Sequence, residues 1–215
     1  INIANALRRR QLEIENRRHR EELEILIEER TRELFKSREE SIHILSKAAE
    51  FRDNETAKHT IRMGHYSEQL ARLSGLPEAF CQKIKIAAPL HDVGKIGISD
   101  TILLKPGKLT VEEFDLMKSH CEIGYRILSE STSDILSLGA EIALNHHEKF
   151  DGSGYPNKLS GEDIPITGRI GAICDVFDAL TTERVYKKAI PAEQALEIMI
   201  ESRGTHFDPR LLDLF

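Results

Sequence analysis

The chain has 215 residues, of which 40% are hydrophobic and 31% charged, with a formal net charge of −6. These ordinary proportions indicate a folding chain of one large or two small domains. The first forty residues contain equal numbers of basic and acidic side chains, so the negative charge lies in the remainder. That distribution argues against a nucleic-acid-binding face.

No secretory signal is visible, and no uninterrupted apolar run reaches the roughly 18 residues that a membrane span requires. We therefore expect no membrane segment in this stretch and a cytoplasmic location. Because the sequence begins at Ile1 and not at Met, we expect it to be part of a longer protein.

Residues 1–45 contain neither Gly nor Pro and are rich in Arg, Glu and Leu, which predicts one long helix. Leu23, Ile27, Arg30 and Leu34 are spaced 4-3-4 and form a partial heptad seam. A helix of this length cannot bury its apolar stripe alone, so we expect a parallel coiled-coil linker that forms a homodimer. A solvated charged helix is the alternative.

Residues 46–215 are predicted to form a second, helical domain. Met63, Tyr66, Leu70 and Leu73 follow helical spacing, and Gly75 and Pro77 separate this helix from the next. A capping box at residues 110–113 begins a further apolar stripe, which continues to residue 121. Another stripe precedes residue 146, and one more covers residues 170–177. No convincing strand alternation occurs, so the predicted fold class is all-α.

Three cysteines, Cys81, Cys121 and Cys174, are odd in number and lack metal-binding spacing. They are predicted to be free buried thiols in a reducing compartment.

Adjacent or regularly spaced histidines and acids recur along this second region. His91-Asp92 and His146-His147 are neighbours, and Glu55 and His59 share a helix face at four-residue spacing. His120 and Asp175 lie on further predicted helices; either alone would more often be an ordinary core or surface residue. Together, these nitrogen and carboxylate donors suit a cluster of divalent first-row metals in a helical bundle. Such a cluster is typical of enzymes that hydrolyse phosphate esters.

From Phe51 to Phe215 the chain resembles the HD-GYP domain, a subgroup of the HD phosphohydrolases. The resemblance is carried by the segments RDNETAKHTIRM, APLHDVGKIGISDTILLKPGKLTVEE, MKSHCEIGYRIL, NHHEKFDGSGYP, IPITGRIGAICDVFDAL and GTHFDP. It implies an all-α HD-type bundle with a GYP loop, here preceded by the coiled-coil helix.

The resemblance also implies two or three divalent metal ions, iron or manganese, held by Glu55, His59, His91, Asp92, His120, His146, His147 and Asp175. Asp92 corresponds to the bridging carboxylate, and the presence of Glu55 favours three metals. Asp92 and Lys95 are the implied catalytic residues, and the implied substrate contacts are Tyr155, Arg184 and Lys187. None of the departures from the family pattern, Ala57, Lys158 and Val185, removes a ligand. Lys158 replaces a common Gly, a residue often used where φ is positive.

The implied activity is hydrolysis of the second messenger cyclic di-GMP to pGpG, with a second cut giving GMP. The helix from Asn5 to about Leu34 resembles the connector between a response-regulator receiver domain and HD-GYP, so an upstream receiver or sensor domain is expected. Two alternatives stay open. One is hydrolysis of another nucleotide, such as cyclic GMP-AMP or, against the GYP segment, ppGpp. The other is a module that senses the nucleotide and cleaves it poorly; the intact ligand set weighs against that.

Overall fold

A computed structural model describes residues 2–52, 57–183 and 188–215. Helices account for 74% of the structure, and the described residues contain no strand, only an isolated bridge between Arg203 and Phe207. The predicted all-α fold is thereby confirmed. No helix in the described ranges has the length and hydropathy needed to span a membrane.

The first helix, α1, runs over Ile3–Glu50, and the chain divides into two compact units, residues 1–41 and 42–215. In the first unit every described residue is exposed, and Arg–Glu pairs three or four residues apart support the helix. Leu23, Ile27 and Leu34 of the proposed seam are 55%, 63% and 71% exposed. The coiled-coil dimer and the domain boundary after residue 45 stay predictions.

In the second unit, the last turns of α1 bury Ile42, Ser46, Ala49 and Glu50, which share one helix face. The helices that follow are α2 (Ala57–Leu73), α3 (Glu78–Ala87), α4 (Asp100–Leu103), α5 (Val111–Lys118), α6 (His120–Ser129), α7 (Asp134–Asn145), α8 (Ile166–Thr181), α9 (Ala192–Glu201) and α10 (Pro209–Leu214). Short 3-10 helices are η1 (Ala88–Leu90), η2 (Val93–Gly97) and η3 (Gly161–Asp163).

The predicted local signals appear at the ends of these helices. Thr110 and Glu113 form the complete capping box of α5. Gly75 has a φ of +77° after the end of α2, and Pro77 precedes α3. The three cysteines are free and buried, as predicted, and burial raises the pKa of Cys174 to about 12.

The core lies among α2, α3, η1, α7 and α8, which pack against one another. Its largest fully buried side chains include Met63, Leu70, Ile84, Leu90, Ile142, Ile170 and Ile173. Packing α2 on α8 and η1 on α7 brings together segments that are far apart in sequence, and each of these segments carries predicted metal ligands or leads directly into them.

Candidate metal centre

The predicted donors come from separate elements and meet in two groups. One group contains Asp92, His120, His146 and His147; the other contains His59, His91 and Asp175. Within each group the potential ligand atoms lie within 4.8 Å of one another. The structure thus brings together seven of the eight predicted ligands; the eighth, Glu55, lies outside the described residues.

The two adjacent pairs occupy turns next to helices. His91 and Asp92 directly follow η1, which separates them from the end of α3 at Ala87. His146 and His147 directly follow the last residue of α7. The helices therefore fix where each pair lies, and the two neighbouring side chains of a pair point in different directions.

Helix ends also orient three of the imidazole rings. The last carbonyls of a helix have no intrahelical donor. His91 Nδ1 lies 3.0 Å from the carbonyl oxygen of Ala88, and His120 Nδ1 lies 2.7 Å from that of Met117. His146 Nδ1 is 3.1 Å from two carbonyl oxygens at the end of α7. Because a carbonyl only accepts, each Nδ1 carries the hydrogen and each Nε2 presents its lone pair in the neutral ring.

A buried carboxylate orients the fourth ring. Asp178 Oδ2 accepts from His59 Nδ1 at 2.7 Å, and the same carboxylate is held by the Arg62 guanidinium. Burial opposes ionisation of Asp178, but its bonds with Arg62 and His59 outweigh it and lower the pKa of the carboxyl to about 2. His59 Nε2 is therefore also directed to the donor cluster, in the arrangement that carboxylate–histidine pairs provide at metal sites.

The spacing of the inward-facing atoms fits shared cations. Two neighbouring ligand atoms bound at about 2.1 Å to one ion lie about 3.0–3.4 Å apart, and opposite ligand atoms lie further apart. His59 Nε2 and His91 Nε2 are 3.4 Å apart, and His120 Nε2 is 3.3 Å from Asp92 Oδ1. With Nδ1 carrying a hydrogen in both rings, lone pairs on the two Nε2 atoms would repel, so the geometry favours positive charge between them, either a proton or a bound cation.

Two buried atoms of this cluster, Asp92 Oδ1 and His146 Nε2, lack a hydrogen-bond partner among the described residues and lie 3.6 Å apart. An unpaired buried carboxylate oxygen is costly, and a metal ion would satisfy it together with the imidazole. The residues present therefore fit a divalent metal.

Asp92 lies between the two groups. Its Oδ1 faces His120 and His146, whereas its Oδ2 lies 3.2 Å from His91 Nε2. The two oxygens of one carboxylate thus point toward different donor sets. This is the geometry that a carboxylate bridging two ions requires.

The ionisation of the cluster also favours metal binding. Burial lowers the pKa of His120 to about 4 and lowers that of His147 well below its ordinary value. Burial disfavours a charged His91, but the Asp92 carboxylate outweighs it and raises the pKa of His91 to about 10. Burial likewise opposes the Asp92 charge, yet Lys95 and His91 hold the pKa of that carboxyl well below its usual range. The centre therefore combines neutral imidazoles at His120 and His147 with a carboxylate that attracts positive charge, and a metal ion bound at His91 would replace the proton that this carboxylate holds there.

Lys95 is close enough to act at this centre, because its Nζ lies 2.9 Å from Asp92 Oδ2 and its side chain is only 16% exposed. Lys95 thus forms an ion pair with a buried carboxylate. The partner is the central ligand itself, so the contact places the ammonium group at the cluster.

The GYP loop, which contains residues 154–156, packs against His147. The ring centres of Tyr155 and His147 are 4.8 Å apart, and the main-chain N–H of Tyr155 donates to the carbonyl oxygen of His147 at 3.2 Å. Phe114 packs edge-on against Tyr155, and Lys118 Nζ lies 4.8 Å from the centre of the Phe114 ring. Tyr155 therefore packs against residues outside its own loop, next to the metal-ligand cluster.

Gly154 explains why this loop can lie so close to the histidines. A Cβ at this position would meet main-chain atoms, including Glu148 Cα at 2.5 Å and the carbonyl oxygen of His147 at 2.6 Å. Ordinary contacts begin near 3.4 Å. Only a residue without a side chain lets the two backbones touch here.

Two residues important for this geometry escaped the sequence analysis. Asp178 follows Asp175 by three residues on one helix, a spacing that could have indicated a shared face. Glu148 is 2% exposed and accepts from the main-chain N–H groups of Asn157 and Leu159, which holds the GYP loop down. No local sequence pattern marks that long contact.

Three of the predicted residues cannot be placed. Glu55, Arg184 and Lys187 lie outside the described residues. The third metal and the two basic substrate contacts therefore remain predictions from the resemblance.

Comparison with known proteins identifies the family. A family model described as "HD domain" matches residues 41–211. This chain belongs to the HD domain family. The HD pair of this domain is His91-Asp92, at the centre of the two donor groups, and the family expected from the sequence motifs is confirmed.

Similar proteins carry nucleotide phosphodiesterase names. A "Cyclic di-GMP phosphodiesterase" of Thermotoga maritima is 46% identical, with the alignment covering 100% of this chain and 60% of the relative. A "3'3'-cGAMP-specific phosphodiesterase 2" of Vibrio cholerae is 48% identical over 85% of this chain and 35% of the relative.

A solved structure has the same fold. The crystal structure of a cyclic GMP-AMP-specific phosphodiesterase of Vibrio cholerae superposes with a TM-score of 0.63 at 20% identity. The match covers 82% of this chain and 47% of that one. The chain thus spans less than two thirds of the length of each of these proteins.

Proposed function

We propose that this HD domain is a metal-dependent phosphodiesterase that hydrolyses cyclic di-GMP to pGpG and then to GMP. The observation that carries the proposal is the pair of donor groups joined by the two oxygens of Asp92, with unpartnered buried donor atoms facing one another. The 46% identity to a relative named for this activity supports the choice of substrate.

One divalent ion would be held by His120, His146, His147 and Asp92, and a second by His59, His91, Asp175 and the other oxygen of Asp92. Glu55, by the family resemblance, would add a third. Iron and manganese suit these nitrogen and oxygen donors. When bound, such ions lower the pKa of water and offset the negative charge of a phosphodiester.

The protein groups around the cluster supply position and charge. Lys95, held at 2.9 Å from Asp92, places a cation where it would stabilise charge developing on the phosphate or protonate the leaving oxygen. Tyr155 and Phe114 offer aromatic surface beside His147, suited to a guanine base. Arg184 and Lys187 are assigned to the second phosphate or a guanine edge, because a guanidinium fork fits either.

The proposal includes a signalling context. The exposed apolar residues Leu23, Ile27 and Leu34 support a homodimer through the N-terminal helix. The additional length of the relatives supports a longer protein with an upstream receiver or sensor domain. A substrate of this kind also favours the cytoplasm.

Hydrolysis of 3'3'-cyclic GMP-AMP is the second candidate. It is favoured by the 48% identity to a relative named for that specificity. Both rings present the same phosphodiesters to the cluster and differ in one base. The ratio of kcat/KM for the two rings, measured on one preparation, decides between them.

The proposal is tested with anaerobically purified protein, by elemental analysis and product identification after incubation with each ring. Asp92→Ala should abolish turnover and metal loading, whereas Asp134→Ala, a surface substitution in α7, should change neither. An Asp92→Ala protein with the wild-type rate and full metal content would refute the mechanism. Glu55→Ala should remove only the third metal, and an unchanged metal count would refute the three-metal assignment.

A further inference from the structure

Arg52 connects the end of α1 to the loop that carries Lys95. It follows the last residue of α1 by two positions, within the unit formed by residues 42–215. Its guanidinium donates to the main-chain oxygens of Lys95 at 3.4 Å, of Ile96, and of Ile98 at 3.0 Å. It also pairs with Asp100 Oδ1 at 2.6 Å.

These acceptors lie in the short backbone segment that leaves η2, where the Lys95 carbonyl also accepts the main-chain N–H of Ile98 at 3.1 Å. Lys95 and Ile96 lie in the short 3-10 helix η2, and Ile98 is its C-terminal capping residue. Short 3-10 helices leave their last carbonyls without internal donors. A planar guanidinium holds several carbonyls at once with donors in a fixed arrangement, whereas the three donors of an ammonium group rotate freely on a flexible stem.

The same loop is held on its other side. A Cβ on Gly94 would meet main-chain atoms of His120 and Gly124, with the His120 carbonyl carbon at 2.8 Å. Gly94 therefore packs directly on the start of α6, while Arg52 holds the carbonyls one to four residues further on. Lys95 lies between these two attachments.

We propose that Arg52 is a positioning residue that fixes the Lys95 ammonium at the metal centre and ties its placement to the end of α1. The proposal rests on the proposed function, because Lys95 has a role only if the centre cleaves a phosphodiester. The last turns of α1 are buried through Ile42, Ser46 and Ala49, so the residue that follows them starts from a fixed point. A displacement of that helix end would move the Lys95 loop through Arg52.

In the metal-loaded full chain, substitutions of Arg52 should change kcat without changing KM or metal content. Arg52→Ala should lower kcat by about 10- to 100-fold, since misplacing a catalytic group by about 1 Å has an effect of this order. KM and metal content should stay close to wild type, because the contact acts on Lys95 and not on the ligands. Arg52→Lys should remain impaired, since it keeps the charge but loses the fork.

Asp100→Ala is the matched control. It removes the ion pair of Arg52 and leaves the three main-chain acceptors, so its kcat should stay within about twofold of wild type if a surface ion pair contributes little. Hydrogen–deuterium exchange over residues 93–103 should rise in Arg52→Ala and stay unchanged in Asp100→Ala. This measurement needs no substrate.

The outcomes separate this inference from the proposed function. A wild-type protein that is inactive on every cyclic dinucleotide would refute the proposed function, and the positioning role of Arg52 would be refuted with it. The exchange measurement would still show whether Arg52 holds the Lys95 loop. An active wild type with an Arg52→Ala kcat within twofold, or with unchanged exchange at residues 93–103, would overturn the positioning role alone. Equal losses in Arg52→Lys and Asp100→Ala would also overturn it, because the ion pair would then explain the effect.

Discussion

Substituting Gly154 by Ala tests whether the GYP loop must touch the backbone of the metal-ligand segment. The added Cβ would lie 2.5 Å from Glu148 Cα and 2.6 Å from the His147 carbonyl oxygen. Reaching ordinary contact near 3.4 Å requires these backbones to separate by almost 1 Å. Both partners are main chain, so no flexible side chain can absorb the shift.

The expected cost follows from that displacement. Overpacking of this kind costs about 1–3 kcal/mol of unfolding free energy. Moving His147 and Tyr155 by about 1 Å should lower kcat/KM on the order of 100-fold. Loss of the Tyr155 N–H bond to the His147 carbonyl would release the loop from the centre.

Three measurements check this prediction: urea unfolding, metal content by elemental analysis, and steady-state hydrolysis. Ser153→Ala is the control, because it changes the neighbouring exposed residue without adding an atom at the contact. A Gly154→Ala protein with wild-type stability, metal content and rate would show that the loop tolerates the separation. The explanation of the glycine by close packing would then be wrong.

Two further substitutions test other parts of the centre. Asp178→Asn removes the charge that orients His59. It should weaken metal binding at the His59 group about 10- to 100-fold in a chelator competition and leave the Asp92–His120 group occupied. Equal weakening of metal binding at both groups would contradict this. Lys158→Gly should raise the unfolding free energy, measured in urea, by about 0.5–1 kcal/mol. Lys158 is exposed and has a φ of +55°, a conformation that disfavours a side chain but not glycine. A destabilised Lys158→Gly protein would show that the side chain has a role in the loop.

Local sequence chemistry predicted much of the helical framework. The capping box at Thr110, the break at Gly75 and the apolar stripe through Ile170 and Ile173 each depend on neighbours within one turn, and each appears in the structure. The donor set was also visible, since adjacent or regularly spaced histidines and acids recur along the helical region. The structure adds the division into two groups and the placement of Asp92 between them.

The supporting residues could not be predicted in the same way. Asp178 and Asp175 are both acids on α8, and only the packing of α2 against α8 shows that one orients His59 while the other faces the cluster. Glu148 acts on main-chain groups nine and eleven residues later. Such contacts depend on loop paths that the sequence leaves open.

Three glycines show how packing, and not the donors alone, determines the spacing of the centre. Gly94 lets the turn at Asp92 contact α6 at His120, and Gly154 lets the GYP loop contact His147. Gly168 lets α8 pack against the end of α7, since a Cβ added to this glycine would lie only 2.6 Å from Asn145 Cβ. Each contact joins a ligand-bearing segment to the segment beside it. Because a bound ion restricts the distances between its donor atoms, a side chain at any of these contacts would push apart donors that must share one ion.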